Sequence, residues 1–90
     1  MERQEILAEA SCVMDGSREE RYGDFAENHE RIGVLWGAIL QTDPIPAHLV
    51  ALCMTAVKIS RMVADPTHLD NYIDAVAYTA GAGEIATLAE

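Results

Sequence analysis

The stretch VALCMTAVKISRMVADPTHLDNYID, residues 50–74, decides how this chain folds. Its first part is apolar apart from a few polar positions, and it carries Lys58 and Arg61, the only basic residues after position 31. Asp65-Pro66 then breaks the helix, because proline lacks an N–H and restricts the residue before it. An unpaired charge is costly to bury, so these two cations need either carboxylate partners or a ligand.

A short turn between two helices predicts an antiparallel hairpin. Arg61 and Asp70 lie about one helical turn on either side of the break, and Lys58 and Asp74 each lie about one turn further away. We therefore expect two interhelical ion pairs, Arg61 with Asp70 and Lys58 with Asp74. Two interpretations stay open: salt bridges that fix the hairpin's register, or a charged stripe that faces a ligand-binding cleft.

Length and composition bound the class of protein. Ninety residues, half of them hydrophobic, are enough for one small domain. We expect a single helical domain over 1–90, with an N-terminal helix in 1–16 and a core of three helices in 24–90. Long apolar helices in so short a chain predict a homo-oligomer. The net charge of −9 argues against direct nucleic-acid binding, because phosphate contacts need clustered Lys and Arg.

The sequence predicts a cytoplasmic protein with no membrane partner. Its start, Met1-Glu2-Arg3-Gln4-Glu5, is too charged for a signal peptide, and no apolar run approaches the ~20 residues that span a bilayer. Cys12 and Cys53 lack metal-ligand spacing. We expect them to be buried thiols outside any disulfide framework.

Hydrophobic periodicity predicts an all-α fold of about four helices, arranged as antiparallel hairpins in a small bundle. The first helix runs from about Glu2 to Met14 and ends at Asp15-Gly16. The second begins at a capping box formed by Asp24 and Glu27. Its expected core-facing stripe is Ile32, Leu35, Trp36, Ile39 and Leu40.

The third helix, about Ala47 to Ala64, is apolar on nearly all sides, so we expect it to be central. Thr67 and Asp70 form a second capping box that opens a fourth helix running towards Glu90. Small residues at 80–83 in this last helix indicate either close approach of another backbone or fraying.

Four carboxylates could form a metal site. An E-x-x-E pair lies on one face of the second helix, and an aspartate pair lies on the fourth. Mg²⁺ prefers oxygen ligands of this kind, and the neighbouring Lys58 and Arg61 could then contact the phosphates of a nucleotide. The alternative is a set of solvated carboxylates. The predicted metal ligands are Glu27, Glu30, Asp70 and Asp74.

The connector from Arg18 to Asp24 adds Arg18 and Tyr22, which together could stack on a base and bind phosphate. The alternative is a solvated loop in which Tyr22 covers the core and Gly23 allows the turn into the second helix.

A longer pattern runs through the chain in this order: Arg18, Tyr22-Gly23-Asp24, Glu27-Asn28, Arg31-Ile32, Leu35-Trp36, Lys58-Ile59-x-Arg61, Asp70, Asp74 and Tyr78. This pattern resembles a family of short phage and prophage proteins of unknown function, over roughly residues 17–84. Arg21 and Ala77 depart from it, where the family has an acidic residue and a glycine. Asn28 belongs to the pattern and joins Lys58, Arg61, Tyr22 and Arg18 as a candidate ligand-binding residue.

The pattern is also distantly similar to the all-α nucleotide pyrophosphohydrolases of the MazG type. Those enzymes hold Mg²⁺ with E-x-x-E and E-x-x-D pairs on neighbouring helices. Glu27 and Glu30 match the first pair, whereas Asp70 and Asp74 are spaced by four residues and depart from the second. Binding of a nucleotide-like phosphorylated ligand is therefore the leading hypothesis, and whether Mg²⁺-dependent hydrolysis accompanies it stays open.

A rival hypothesis is an acidic counter-defence or regulatory protein of a phage, which binds a basic groove of a host protein. The net charge of −9 and the phage resemblance favour it. A third hypothesis is a purely structural oligomeric module. The first two differ in one respect: the carboxylates either cluster with Lys58 and Arg61 or spread over the outside.

Overall fold

The computed structural model describes residues 1–15 and 24–88, and these residues form four α-helices and no strand. The predicted all-α class with about four packed helices is confirmed. The helices are α1 (Arg3–Val13), α2 (Phe25–Leu40), α3 (Ala47–Ala64) and α4 (Leu69–Leu88).

The hairpin of α3 and α4 is the largest helix–helix contact in the described chain. Thr55 of α3 and Thr79 of α4 place their hydroxyl oxygens 3.0 Å apart. Nearer the turn, Lys58 meets Asp74, and the Tyr72 hydroxyl donates to the Pro66 carbonyl at 2.9 Å. A residue later in α3 contacts a residue earlier in α4, so the two helices are antiparallel, as predicted.

Helix α4 is the centre of the bundle, because it packs against α1, α2 and α3. Most of the residues it buries are small enough to let three neighbours approach; they are Asn71, Ile73, Ala75, Gly81 and Ala82. Helix α3 fully buries only Val50 and Ala51. The expectation that α3 is central is therefore wrong: its apolar side chains surround the helix, but neighbours cover only part of it.

Helix α3 also has the length and apolar composition of a membrane-crossing segment, with 11% of its residues buried. The expectation that no apolar run approaches a spanning length is corrected on this point. Because core helices of soluble proteins also pass such a test, and because α3 carries Lys58 and Arg61, length and composition alone are weak evidence for a membrane.

Helix α2 packs through small residues. Its buried residues His29, Gly33 and Gly37 follow one another at intervals of four, and they form one face of the helix. The connector after α2 folds back on this face, where the Ile45 N–H donates to the Gly33 carbonyl at 3.1 Å. A Cβ atom at Gly33 would overlap the Ile45 carbonyl oxygen, and one at Gly37 would lie 2.8 Å from the Asp43 carbonyl oxygen.

The predicted core stripe of α2 is consequently wrong. Leu35, Ile39 and Leu40 are 56%, 77% and 62% exposed, and Ile32 and Trp36 are only partly buried. The connector occupies the glycine face at close range, so the large apolar side chains are left on the outside of the chain.

The two predicted capping boxes do not form. Asp24 is the N-cap residue of α2, but its side chain makes no capping hydrogen bond. The Thr67 hydroxyl donates to the Asp65 carboxylate at 3.2 Å, and α4 begins two residues later, at Leu69. Both helices are held by packing more than by their caps.

Helix α1 packs on α4 and buries Ala10. It ends at Val13, and the predicted cap at Gly16 lies outside the described residues. Cys12 and Cys53 are free and exposed, so the expectation of buried thiols is wrong.

The glycine face of α2 generates a prediction about stability. We expect Gly33→Ala to lower the free energy of unfolding by about 1–3 kcal/mol, because a methyl group there is overpacked against backbone. Gly83→Ala in α4 is the matched control: nothing lies within 4 Å of its added Cβ, so it should stabilise by up to ~1 kcal/mol. Urea unfolding of both variants is the measurement, and equal shifts would contradict this packing.

Candidate functional site

The predicted ion pair between Lys58 and Asp74 is present. The Lys58 Nζ lies 3.1 Å from the Asp74 Oδ2, and the two side chains are 13% and 29% exposed. Lys58 points across the hairpin interface, where most of its length is removed from water. Desolvation offsets much of the attraction in such a pair, so the bridge is weak evidence for a purely stabilising role.

The predicted pair of Arg61 and Asp70 is wrong. Arg61 is exposed and forms no ion pair within the described residues, while Asp70 lies 4.0 Å from the imidazole of His68. The reason is helical rotation. Arg61 lies three residues after Lys58, and three residues rotate the helix about 60° less than a full turn. Asp70 lies four residues before Asp74, and four residues rotate the helix about 40° more than a full turn. These offsets put both side chains at the margin of the interface, where both are exposed.

The four predicted metal ligands are not brought together. Glu27, Glu30 and Asp70 are exposed, and only Asp74 lies at the interface. Across residues 1–15 and 24–88, no group of three or more His, Cys, Asp or Glu side chains could hold a metal ion. The spacing of Glu27 and Glu30 gives them a common face, but α2 turns its other face, that of His29, towards the bundle.

A cluster of three rings lies where α2 meets α4. Phe25 and His29 stack with centroids 3.9 Å apart, and His29 and Tyr78 form an edge-to-face pair with centroids 5.9 Å apart. Gly81, one turn beyond Tyr78, allows this approach, because a Cβ atom there would overlap the Phe25 ring. Of the small residues at 80–83, Gly81 allows close packing within the chain. The helix does not end at these residues, because α4 continues to Leu88.

His29 is the unusual member of this cluster. It is 3% exposed, and its Nδ1 lies 2.8 Å from the Phe25 carbonyl oxygen. A carbonyl can only accept, so Nδ1 donates, and Nε2 of the neutral ring is then an acceptor. That Nε2 is buried and has no hydrogen-bond partner among the described residues. A buried polar atom without a partner costs about 1–3 kcal/mol, so this acceptor fits a partner that carries an N–H or O–H.

The ion pair and the ring cluster share one face of α4. Asn71, Asp74, Tyr78 and Gly81 are spaced by three, four and three residues, which keeps their side chains on one side of a helix. Asp74 and Tyr78 are thus about 6 Å apart along the helix axis. We call Lys58, Asp74, Tyr78 and His29 the candidate site.

An open groove of ≈ 540 Å³ lies on another side of α4. It is almost wholly apolar and includes none of the four residues of the candidate site. Its lining residues are Ile6, Met62, Tyr72, Ala75, Val76, Thr79 and Ala80. Without charged groups to orient a phosphorylated ligand, the groove fits an apolar side chain better than a nucleotide.

The remaining predicted ligand residues have mixed positions. Asn28 is half-buried on α2, beside His29, whereas Arg18 and Tyr22 lie outside the described residues. Sequence reasoning missed His29 and Phe25. The interval of four that links His29, Gly33 and Gly37 was the available signal, because two glycines in register on one helix mark a face under close contact.

The comparisons with known proteins show a phage family. A family described as "Domain of unknown function (DUF6378)" matches residues 5–86. The Gene 55 protein of Mycobacterium phage L5 is 39% identical over 73 residues, which are 81% of this chain and 47% of that protein. The chain thus spans about half the length of this relative, and no solved structure matches. The predicted relationship to phage proteins of unknown function is confirmed: this chain belongs to the DUF6378 family.

Proposed function

We propose that the chain binds a nucleotide or nucleotide-like phosphorylated ligand at the candidate site. One observation carries the proposal. Lys58 pairs with Asp74 on α4, and one turn further along that helix Tyr78 contacts His29, whose buried Nε2 has no hydrogen-bond partner among the described residues. A structural salt bridge accounts for Lys58 and Asp74. It does not account for the acceptor on His29, which a bound ligand with an N–H group would satisfy.

Each residue has a role in this proposal. Lys58 contacts phosphate as a compact charge, and Asp74 holds it in place until the ligand arrives. Arg61, exposed one turn further along α3, supplies a second, bidentate phosphate contact. Tyr78 offers a ring face, and His29 offers one acceptor, to a base that bears an amino group. Arg18, Tyr22 and Asn28 stay in the proposal as further contacts.

Hydrolysis is not part of the proposal. The carboxylates of residues 1–15 and 24–88 do not form a set that fits Mg²⁺, so no metal-dependent step follows from them. A dependence on Mg²⁺ stays a prediction for the binding experiment. The distant similarity to MazG-type enzymes supports the choice of a nucleotide as the ligand class and no more.

A second function has its own supporting observation. The exposed carboxylates are spread over α2, the turn before α4 and α4 itself, and only Asp74 meets Lys58. Such a surface suits contact with a basic groove of a host protein in the cytoplasm of an infected cell. The exposed residues concerned are Glu27, Glu30, Asp65, Asp70 and Glu84.

Self-association also belongs to the proposal. Large apolar side chains are exposed on both α2 and α3, and soluble proteins rarely leave extended apolar patches uncovered. The chain would then function as an assembly of copies.

The first test is a thermal-shift screen with nucleoside mono-, di- and triphosphates, the unphosphorylated nucleosides and inorganic phosphate, each with and without Mg²⁺. We expect nucleotides to raise the melting temperature and nucleosides to leave it unchanged. A ligand present at 100 times its Kd stabilises the folded state by about 2.7 kcal/mol. If no phosphorylated compound raises the melting temperature, the nucleotide proposal is wrong.

The second test is Lys58→Met, which keeps the apolar part of the side chain and removes the charge. We expect the free energy of unfolding to change by about 1 kcal/mol or less, because the Asp74 side chain is 29% exposed and water can hydrate its carboxylate once Lys58 is replaced. Affinity for the nucleotide found in the screen should fall roughly ten- to a hundredfold, since a charged hydrogen bond contributes about 1.5–3 kcal/mol.

Arg3→Met is the matched control for Lys58→Met. Arg3 is exposed on α1, so its replacement removes the same charge away from the candidate site. Calorimetric titration should give wild-type affinity for Arg3→Met. Undiminished affinity in Lys58→Met would show that the ion pair is structural.

A further inference from the structure

One exposed face of α3 has the spacing of a coiled coil. Five residues follow one another at intervals of three, four, three and four, which is the heptad pattern of a helix that packs against another helix. All five are exposed, Val63 as much as 80%. We call this set the α3 seam: Leu49, Leu52, Ala56, Ile59 and Val63.

The seam is separate from the candidate site. Lys58 lies two residues beyond Ala56, the middle of the seam, and two residues rotate a helix by about 200°. Lys58 therefore faces α4 while the seam faces solvent. The described chain covers the seam only in part, since Leu49 and Leu52 are 41% and 44% exposed and Val63 is 80% exposed.

We propose that the α3 seam packs antiparallel against the α3 seam of a second copy, about a two-fold axis that passes close to Ala56. This proposal rests on the self-association proposed above and adds the face, the orientation and the register. A two-fold interface uses the same surface on both copies, so that surface must be complementary to itself.

The order of side-chain sizes along the seam meets that requirement. Leu52 lies four positions before the small Ala56, and Ile59 lies three positions after it. Leu49 and Val63 lie seven positions before and after it. Antiparallel pairing about Ala56 therefore sets Leu49 level with Val63 of the second copy, and it brings Leu52 within one residue of the level of Ile59. The two alanines meet in the middle, where small side chains allow the helix axes to approach.

Charge decides between the two orientations. Helix α3 has no acidic residue, and Lys58 and Arg61 both lie in its C-terminal half. Parallel pairing would align the two helix dipoles and gather the cationic C-terminal halves of both copies at one end of the dimer. Antiparallel pairing about Ala56 places Arg61 level with Ala51 of the second copy, and it opposes the dipoles.

The first experiment measures mass by light scattering at micromolar concentration. We expect the mass of two chains for the wild type and a shift to one chain for Ile59→Glu, with helicity retained. Ile39→Glu is the matched control, because it makes the same change at an exposed position of α2; it should remain dimeric.

The outcomes of this experiment distinguish self-association in general from pairing through the α3 seam. A monomeric wild type would overturn self-association. A dimer that Ile39→Glu dissociates and Ile59→Glu does not would overturn the seam and leave self-association standing. Neither result bears on nucleotide binding, which calorimetry measures on its own.

The second experiment tests orientation with a short bifunctional maleimide on chains that lack Cys12 and Cys53. We expect Ala56→Cys to cross-link with itself. Leu49→Cys should cross-link with Val63→Cys in a mixture but not with itself, and Glu84→Cys on α4 is the control that should stay uncross-linked. Efficient self-cross-linking of Leu49→Cys would overturn the antiparallel arrangement.

A third measurement addresses a membrane as the occupant of the seam. Wild-type chain is sedimented with vesicles of neutral and anionic phospholipid. We expect the dimer to stay in the supernatant. Monomers that sediment with the vesicles would overturn the proposal, because a lipid surface would then cover α3.

Discussion

The packing of α3 on α4 is the constraint on which the rest of the structure depends. Two polar contacts hold its register, the Lys58–Asp74 pair at 3.1 Å and the approach of Thr55 to Thr79 at 3.0 Å. With α3 in place, α2 packs mainly on α3, and α4 binds α1 and a small part of α2 through small residues. Helix α2 approaches α4 where Gly81 admits the Phe25 ring, and this brings His29 next to Tyr78.

Much of this arrangement could be predicted from local signals. Pro46 and Asp65-Pro66 delimit α3, and counting turns from the break identifies the pair of Lys58 and Asp74. The same counting failed for Arg61 and Asp70, because height along a helix does not give rotation about it. Periodicity also located an apolar stripe on α2 without showing whether that stripe meets the chain's own core or lies exposed, as Leu35 and Ile39 do.

The four predicted metal ligands are not brought together for a related reason: the E-x-x-E spacing puts Glu27 and Glu30 on one face but does not say which face meets the bundle. Helix α3 instead has two chemically different sides. One side holds Lys58 in its ion pair with Asp74 on α4. The other is an apolar seam with coiled-coil spacing. We propose that the first binds a phosphorylated ligand and that the second binds a further copy of the chain.

The central claim is that the Lys58–Asp74 pair is retained for a ligand more than for stability. The most direct test is the double replacement Lys58→Met with Asp74→Leu, studied by urea unfolding and by calorimetric titration with the nucleotide that stabilises the wild type. A well-packed apolar pair often equals or exceeds a buried ion pair in stability. We therefore predict an unfolding free energy that is unchanged or higher, together with loss of nucleotide binding. A marked loss of stability with binding retained would contradict the account.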